Sequence, residues 1–286
     1  MNNERSSSEP VLDVFINVEA HRLAADLIRK HSANPQDIRN VALDSLDLSA
    51  CRNIIDLGCG FGFFTEALKG KIPSDAVVTG IDIVHSYKPL FLDVCKKGGF
   101  QGRFLHLGSS LLKDLGLESC DLALCSYALY FFPETIPDIA KVLRDDGMFI
   151  TITHGSNNMD ELISATKDVM IAQGATGKNR FPFEEIVSRF SAENGHDMLS
   201  PWFGRVEIID YVNTLVFRPD EIANLVEYFR FKSPFFLSGT GYETENIASM
   251  LGRHLEISSR ERHGFTLSKN DRIFICSLPL HKEKRL

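Results

Sequence analysis

The chain has 286 residues, enough for one large α/β domain with room for an insertion. Hydrophobic residues make up 44% and charged residues 24%, the balance of a globule that buries a core. The formal net charge of -7 comes without a long basic run, which argues against a nucleic-acid backbone as partner, because phosphate binding needs clustered Lys and Arg.

Residues 1–10 are polar, lack the apolar segment of a signal peptide and read as a disordered tail. From Val11 to His31, Val14, Phe15, Val18, Leu23, Leu27 and Ile28 recur at helical spacing until Asn34-Pro35 breaks the run. A short helix is expected from Pro35 to Leu46. Arg52 to Leu57 reads as a buried strand, and a glycine-rich turn follows it. Phe63, Phe64, Ala67 and Leu68 then give a helix an apolar face, stopped between Gly70 and Pro73. Further strands are expected at 76–83, 102–107, 121–125 and 148–153. Helices are expected at Tyr87–Lys97 and Glu134–Arg144. These strands are continuous apolar runs, as in a parallel sheet covered by helices on both faces. Strand–helix alternation at this pace gives a doubly wound α/β fold.

After His154 the rhythm changes. Residues 155–204 read as a helical insertion, with helices at Met159–Ala172, Phe183–Phe190 and His196–Trp202. Val206 to Phe217 reads as one longer strand. Pro219–Phe231 and Asn246–Ser258 read as helices, and Gly264–Leu278 holds a last strand. The expected organisation is a tail at 1–10, helices at 11–48, a nucleotide-binding core at 49–154, a cap at 155–204, completion of the sheet at 205–280 and a solvated tail at 281–286. No run approaches the ~20 apolar residues needed to cross a bilayer, so no membrane partner is expected and the chain reads as cytoplasmic. The six cysteines have no CxxC spacing and no accompanying His cluster, which points to reduced, buried thiols and to no metal site.

The chemistry concentrates in Asp56-Leu57-Gly58-Cys59-Gly60-Phe61-Gly62. An acid, then glycines at every second position, then a helix, lets a nucleotide lie against the backbone beyond the strand ends. Asp82, at the end of the second strand, suits hydrogen bonds to both hydroxyls of a ribose. Asp56 opposes a phosphate, since two unit charges about 4 Å apart at an effective dielectric near 20 interact by ~4 kcal/mol. The dinucleotide pattern GxGxxG also needs glycine at 63, where this chain has Phe63. The turn therefore favours an adenosine ligand that is cationic and lacks phosphates.

Ile54 to Thr65 closely resembles the first motif of class I S-adenosylmethionine-dependent methyltransferases, and Val78-Thr79-Gly80-Ile81-Asp82 resembles their second. Asp121 to Ser126 and Leu143 to Met148 are similar to their fourth-strand and fifth-strand segments. The resemblance implies a Rossmann-like seven-stranded sheet, mostly parallel with an antiparallel closing strand, with lid helices at the N-terminus and a cap after the fifth strand. It implies S-adenosylmethionine as cofactor and S-adenosylhomocysteine as product. Asp56, Gly58, Gly60, Phe61 and Gly62 would line the methionine part and ribose edge. Asp82 would hold the ribose, Ile83 would pack on adenine, and the Ser126 carbonyl would face the ammonium. Ser109 or Ser110 would stand where many members place an acid for the adenine amino group.

For the chemistry itself, His154 ends the fifth strand at the ligand face, where a histidine can act as base. Tyr127 and Tyr130 follow the fourth strand and can line the pocket; Tyr130 stands where many small-molecule members carry histidine. His21 or Arg22 can reach a ligand carboxylate. Phe181, Phe183 and Trp202 can wall an apolar substrate or build the insertion's own core. The expected activity is methyl transfer to a small molecule. Two alternatives are an enzyme that cyclises or cleaves the aminobutyl arm of S-adenosylmethionine and a non-catalytic binding subunit.

Overall fold

The computed structural model describes residues 13–106, 108, 116, 118–175 and 180–281. In chain order the elements are α1 (Val18–His31), α2 (Ile38–Leu43), β1 (Asn53–Leu57), β2 (Val77–Asp82), α3 (Lys88–Gly98), β3 (Gln101–His106), β4 (Cys120–Ser126), α4 (Ile136–Val142) and β5 (Leu143–His154). They continue with α5 (Asp160–Ala172), α6 (Pro182–Ser188), α7 (Gly195–Leu199), β6 (Phe203–Tyr211), β7 (Thr214–Phe217), α8 (Ile222–Leu237), α9 (Thr244–Arg262), β8 (Phe265–Ser268) and β9 (Asp271–Pro279).

The chain divides into two compact units. The sheet unit holds Gln36–Ser156, Ser188–Tyr211 and Asp271–Leu286, and the helical unit holds Met1–Pro35, Asn157–Val187 and Val212–Asn270. The division cuts across the expected segments. Residues 157–187 of the expected cap lie in the helical unit, while 188–204 lie in the sheet unit.

The sheet unit is a seven-stranded sheet of order β3-β2-β1-β4-β5-β9-β6. β1 to β5 pair parallel, and β9 runs antiparallel between β5 and β6. This is the doubly wound, mostly parallel α/β sheet that the continuous apolar runs predict. β1 and β4 are buried along nearly their whole length, whereas β6, the edge strand, is largely exposed and carries Arg205, Glu207 and Asp210. Charge on an edge strand blocks pairing with another chain. The core joins Ile54, Val78, Leu122, Leu124, Ile150 and Ile273 to Phe64 and Phe91.

Strand order reverses between β1 and β4, so the loops after them diverge and leave a crevice at their carboxyl ends. The end of β5 and the start of antiparallel β9 meet at that same edge, with His154 opposite Asp271.

The helical unit packs α9 on α8 and α5, and α1 on α8, beside a β7–β8 hairpin. Asn17 caps α1 by accepting from Ala20 N–H at 3.1 Å. Phe229 stacks on Phe236, and Phe181 and Phe183 meet Phe235 and Phe236 at ring edges and tilts. Phe181 and Phe183 therefore build this unit's own core, while Trp202 belongs to the sheet unit.

Four elements depart from the sequence expectation. The helix expected after the glycine turn is a single 3-10 turn, Thr65–Leu68, because Gly62 and Gly70 bound it at φ +90° and +74°. The long strand expected at 206–217 breaks at Val212–Asn213. The last strand breaks at Lys269–Asn270. At both breaks asparagine supplies the reason: Asn213 N–H donates to Asn270 Oδ1 at 3.0 Å, and Asn213 Oδ1 accepts from Asn34 N–H at 2.9 Å. Side-chain bonds of this kind compete with a strand ladder. Finally, α8 runs on past Phe231 and contains Pro234. Proline removes the donor that would reach the Arg230 carbonyl. The Ser233 hydroxyl donates to that carbonyl instead, at 2.8 Å.

Candidate active site

The turn after β1 is held by backbone bonds. Gly58 and Cys59 N–H both donate to the Ile81 carbonyl, at 2.9 and 3.3 Å, and Gly62 N–H donates to the Cys59 carbonyl at 2.9 Å. Gly58 has φ +64°, and a Cβ there would lie 2.5 Å from the Ala128 Cβ. Gly60 has φ +50°, but a Cβ there would meet nothing within 4 Å. The first glycine is required by packing. The second leaves open space against the backbone, as a ligand needs.

Asp82 clamps this turn. Its Oδ2 accepts from Gly60 N–H at 2.9 Å and its Oδ1 from Val84 N–H at 2.8 Å. An ionised carboxylate has about four acceptor positions, so roughly two remain for ribose hydroxyls. Burial raises the Asp82 pKa, against the pull of those backbone bonds. Ile83 follows with 48% of its surface exposed, an apolar side chain left uncovered beside the acid.

Asp56 is 1% exposed. Its Oδ2 accepts the Thr65 hydroxyl at 2.6 Å, and its Oδ1 has no hydrogen-bond partner. Burial pushes its pKa up to about 7, with Asp82 adding a smaller like-charge contribution. Two acids and an unsatisfied carboxylate oxygen at one turn oppose a phosphate and suit a ligand bearing positive charge. Thr65 belongs to the motif, and its tie to Asp56 is visible only in the folded chain.

Beyond β4 and β5 three rings gather. His154 stacks on Tyr127 with centroids 4.7 Å apart and on Tyr130 at 5.9 Å. His154 and Tyr130 are buried. The structure thus brings together His154, Tyr127 and Tyr130. It adds a residue that the sequence reading missed, Asp271. The His154 Nδ1–H donates to Asp271 Oδ1 at 2.7 Å, and the Tyr127 hydroxyl donates to Oδ2 at 2.7 Å. A carboxylate that accepts at both oxygens fixes the proton on Nδ1 and leaves Nε2 as the basic nitrogen. Burial and the adjacent Asp271 hold the Tyr127 pKa well above 10, so its phenol stays a donor.

Tyr127 has φ +54°, a conformation that costs a bulky residue on the order of 1 kcal/mol or more. It is fixed at both ends, by its N–H to the Ile152 carbonyl at 2.9 Å and by its hydroxyl to Asp271. Its ring also lies 6.5 Å from Phe63, over which Arg39 stands at 4.5 Å. Arg39 donates to the Phe63 carbonyl at 2.8 Å and to Glu66 at 2.7 Å. A run of contacts therefore joins the glycine turn to the histidine.

Of the other expected residues, Ser126 ends β4 opposite Ile152. Phe61 sits in the turn, 6.4 Å from the Tyr87 ring. Ser109 and Ser110 lie outside the described residues. In the helical unit His21 stacks on Phe231, and Arg22 pairs with Glu19 at 3.6 Å. All six cysteines are buried and free. Among the described residues no helix is long and apolar enough to cross a membrane.

Residues 55–151 match the methyltransferase domain family. An uncharacterized methyltransferase of Schizosaccharomyces pombe is 25% identical over 189 residues, which is 63% of this chain and 63% of the yeast protein. The match thus spans less than two thirds of that relative. Among solved structures, phosphoethanolamine N-methyltransferase 2 of Haemonchus contortus, in complex with phosphomonomethylethanolamine and S-adenosylhomocysteine, has TM-score 0.57 at 10% identity, covering 98% of this chain and 62% of its own. The [4+2]-cyclase SpnF has TM-score 0.51 at 13% identity, covering 92% of this chain and 94% of its own. At these identities the solved structures establish the fold alone. Strand order and glycine turn agree with that match, so the segment 55–151 is similar to a methyltransferase domain and lies in a Rossmann-like, mostly parallel α/β sheet.

Proposed function

We propose that this protein binds S-adenosylmethionine over the turn 58–62 and directs methyl transfer to a small-molecule acceptor, with His154 as general base. S-adenosylmethionine supplies an electrophilic methyl group on a sulfonium. Asp82 would hold the ribose hydroxyls through its remaining acceptor positions, Ile83 would cover the adenine, and the acidic field of Asp56 would favour the cationic end. His154 Nε2 would take the proton of the acceptor's nucleophile as that nucleophile is methylated. Asp271 and Tyr127 hold the ring for that step. Such a base is needed when the nucleophile keeps its proton near neutral pH, as a hydroxyl does.

The observation that carries this reading is the Asp271–His154 bond at 2.7 Å, at the same sheet edge as the glycine turn. The net charge of -7 without a basic run favours a small acceptor over a nucleic acid. Because the same fold also serves a [4+2]-cyclase, the fold does not choose the reaction. Calorimetry with S-adenosylmethionine, followed by incubation with candidate acceptors, does. Release of S-adenosylhomocysteine supports methyl transfer, and release of methylthioadenosine points instead to cyclisation of the arm. Absence of binding for S-adenosylmethionine and S-adenosylhomocysteine removes the proposal.

A further inference from the structure

His154 is buried, and its ring lies nearly parallel to two phenol rings. The planes make angles of 25° with Tyr127 and 22° with Tyr130, at centroid distances of 4.7 and 5.9 Å. Both distances fall within the ~6 Å over which an aromatic face attracts a cation. Tyr130 is buried too, and the Phe131 ring packs against it at 4.8 Å. Burial strips water from an imidazole and so disfavours its charged form. A base at this position has to carry a proton all the same.

The charged and titratable groups around the ring come from three elements. Asp271 of β9 accepts the Nδ1–H at 2.7 Å. Tyr127, after β4, sends its hydroxyl proton to the other oxygen of Asp271, also at 2.7 Å, and remains un-ionised. Tyr211 of β6 stands opposite Asp271 in the ladder, and its hydroxyl donates to the Gln36 carbonyl. Arg272, next along β9, is directed to Asp210 at 2.6 Å and to the Ala192 carbonyl at 2.5 Å. Ala192 N–H donates to the His154 carbonyl at 2.9 Å, and the neighbouring Glu193 accepts from Ser156 N–H at 2.9 Å. Asp271 thus meets the imidazole at its edge, and the two tyrosines meet it at its face.

We propose that Tyr130 is a positioning residue that sets, together with Tyr127, how tightly His154 holds a proton. An aromatic face carries the negative end of the ring quadrupole, so it favours imidazolium over neutral imidazole. When Nε2 takes a proton, the two tyrosine faces stabilise the cation while Asp271 balances its charge from the edge. Without the ring at 130 the same histidine keeps Asp271 but loses attraction at its face, and it releases its proton at a lower pH. The inference rests on His154 as the base of the proposed reaction, but protonation of His154 is read without any substrate.

A nitrogen-15 NMR titration of the histidine-labelled full chain tests it, with the His154 signals identified by their absence in His154→Gln. Tyr130→Phe keeps the ring and keeps the titration midpoint close to that of the wild type. Filling position 130 with mono- and then trifluorinated phenylalanine keeps the shape but drains negative charge from the face. The midpoint then falls stepwise, and proton affinity drops by about threefold to tenfold between phenylalanine and its trifluorinated form, roughly 0.5–1 pH unit. Tyr130→Leu lowers the midpoint as well. A ring that only fills space gives the opposite sign, because a gap admits water and water favours the charged form. The proposal is overturned if fluorination leaves the midpoint unmoved, or if Tyr130→Leu raises it. Where methyl transfer is measured, the acid limb of its pH–rate profile moves down with the midpoint. A midpoint that follows fluorination in a protein that transfers no methyl group supports the ring effect and removes the reaction instead.

Discussion

Replacing Asp271 by Asn changes two hydrogen bonds at once. In the wild type each carboxylate oxygen accepts one bond at 2.7 Å, from His154 Nδ1–H and from the Tyr127 hydroxyl. The amide offers one oxygen and one NH2. If the oxygen keeps the tyrosine, the NH2 faces Nδ1, which must become an acceptor, and the ring proton moves to Nε2. If the oxygen keeps the histidine, the hydroxyl loses its acceptor for the proton. The first arrangement uses every donor and acceptor, so it wins, and it removes the basic nitrogen. Bonds to a charged group are worth about 1.5–3 kcal/mol and neutral ones about 1, so folding stability falls by roughly 1–3 kcal/mol. Loss of a general base lowers turnover on the order of 10²–10⁴-fold. Nitrogen-15 NMR of histidine-labelled protein reads the tautomer without any substrate, and thermal unfolding reads stability. Asp271→Glu, which keeps the charge, restores the Nδ1–H tautomer. A folded Asp271→Asn protein whose His154 still carries its proton on Nδ1 refutes the reasoning.

Three further predictions concern the turn. Gly58→Ala meets both a positive φ and the Ala128 side chain, and should lose about 2–5 kcal/mol of stability; Gly60→Ala meets only the positive φ, should lose about 1–2, and should weaken S-adenosylmethionine binding out of proportion, as paired melting and calorimetry will show. Asp82→Ala should weaken that binding by about 1.5–3 kcal/mol, and unchanged affinity would remove Asp82 from the ribose. Burial pushes the Asp56 pKa up to about 7 from the ordinary 3.8, so the folded chain holds this proton more tightly. Its stabilising contribution is full below the unfolded pKa and is lost as pH rises through about 7. Asp56→Asn should therefore gain on the wild type between pH 4 and pH 8, by at most about 1.4 kcal/mol per unit of pKa difference, in denaturant titrations at the two pH values.

The sheet was legible because buried parallel strands read as unbroken apolar runs, and those runs occur at β1, β2, β4 and β5. The glycine turn and its two acids were legible for a local reason, since backbone approach and ribose contact both depend on residues close in sequence. His154 was placed by its position at a strand end. Asp271 was not legible. It lies 117 residues from His154, inside a stretch that read as one strand, and only the antiparallel register of β5 and β9 brings the two together. The breaks at Asn213 and Asn270 were hidden for a related reason, because residues on either side share one β-rich pattern and the decisive bonds are between distant asparagines. The α8 helix runs past its expected end at Phe231 and through Pro234, and the hydroxyl that repairs it there shows only in three dimensions.

The pairing of His154 with Asp271 also divides what can vary from what cannot. The ladder from Phe149 opposite Cys276 to His154 opposite Asp271 fixes the pair by backbone bonds alone. The polypeptide leaves the sheet unit after Ser156, returns to it for Ser188–Tyr211, and re-enters it again at Asp271. Segments 157–187 and 212–270 contribute no strand to that ladder. They are inserted in the chain between His154 and Asp271, so changes of length or sequence there leave the register of the pair proposed to handle the proton untouched.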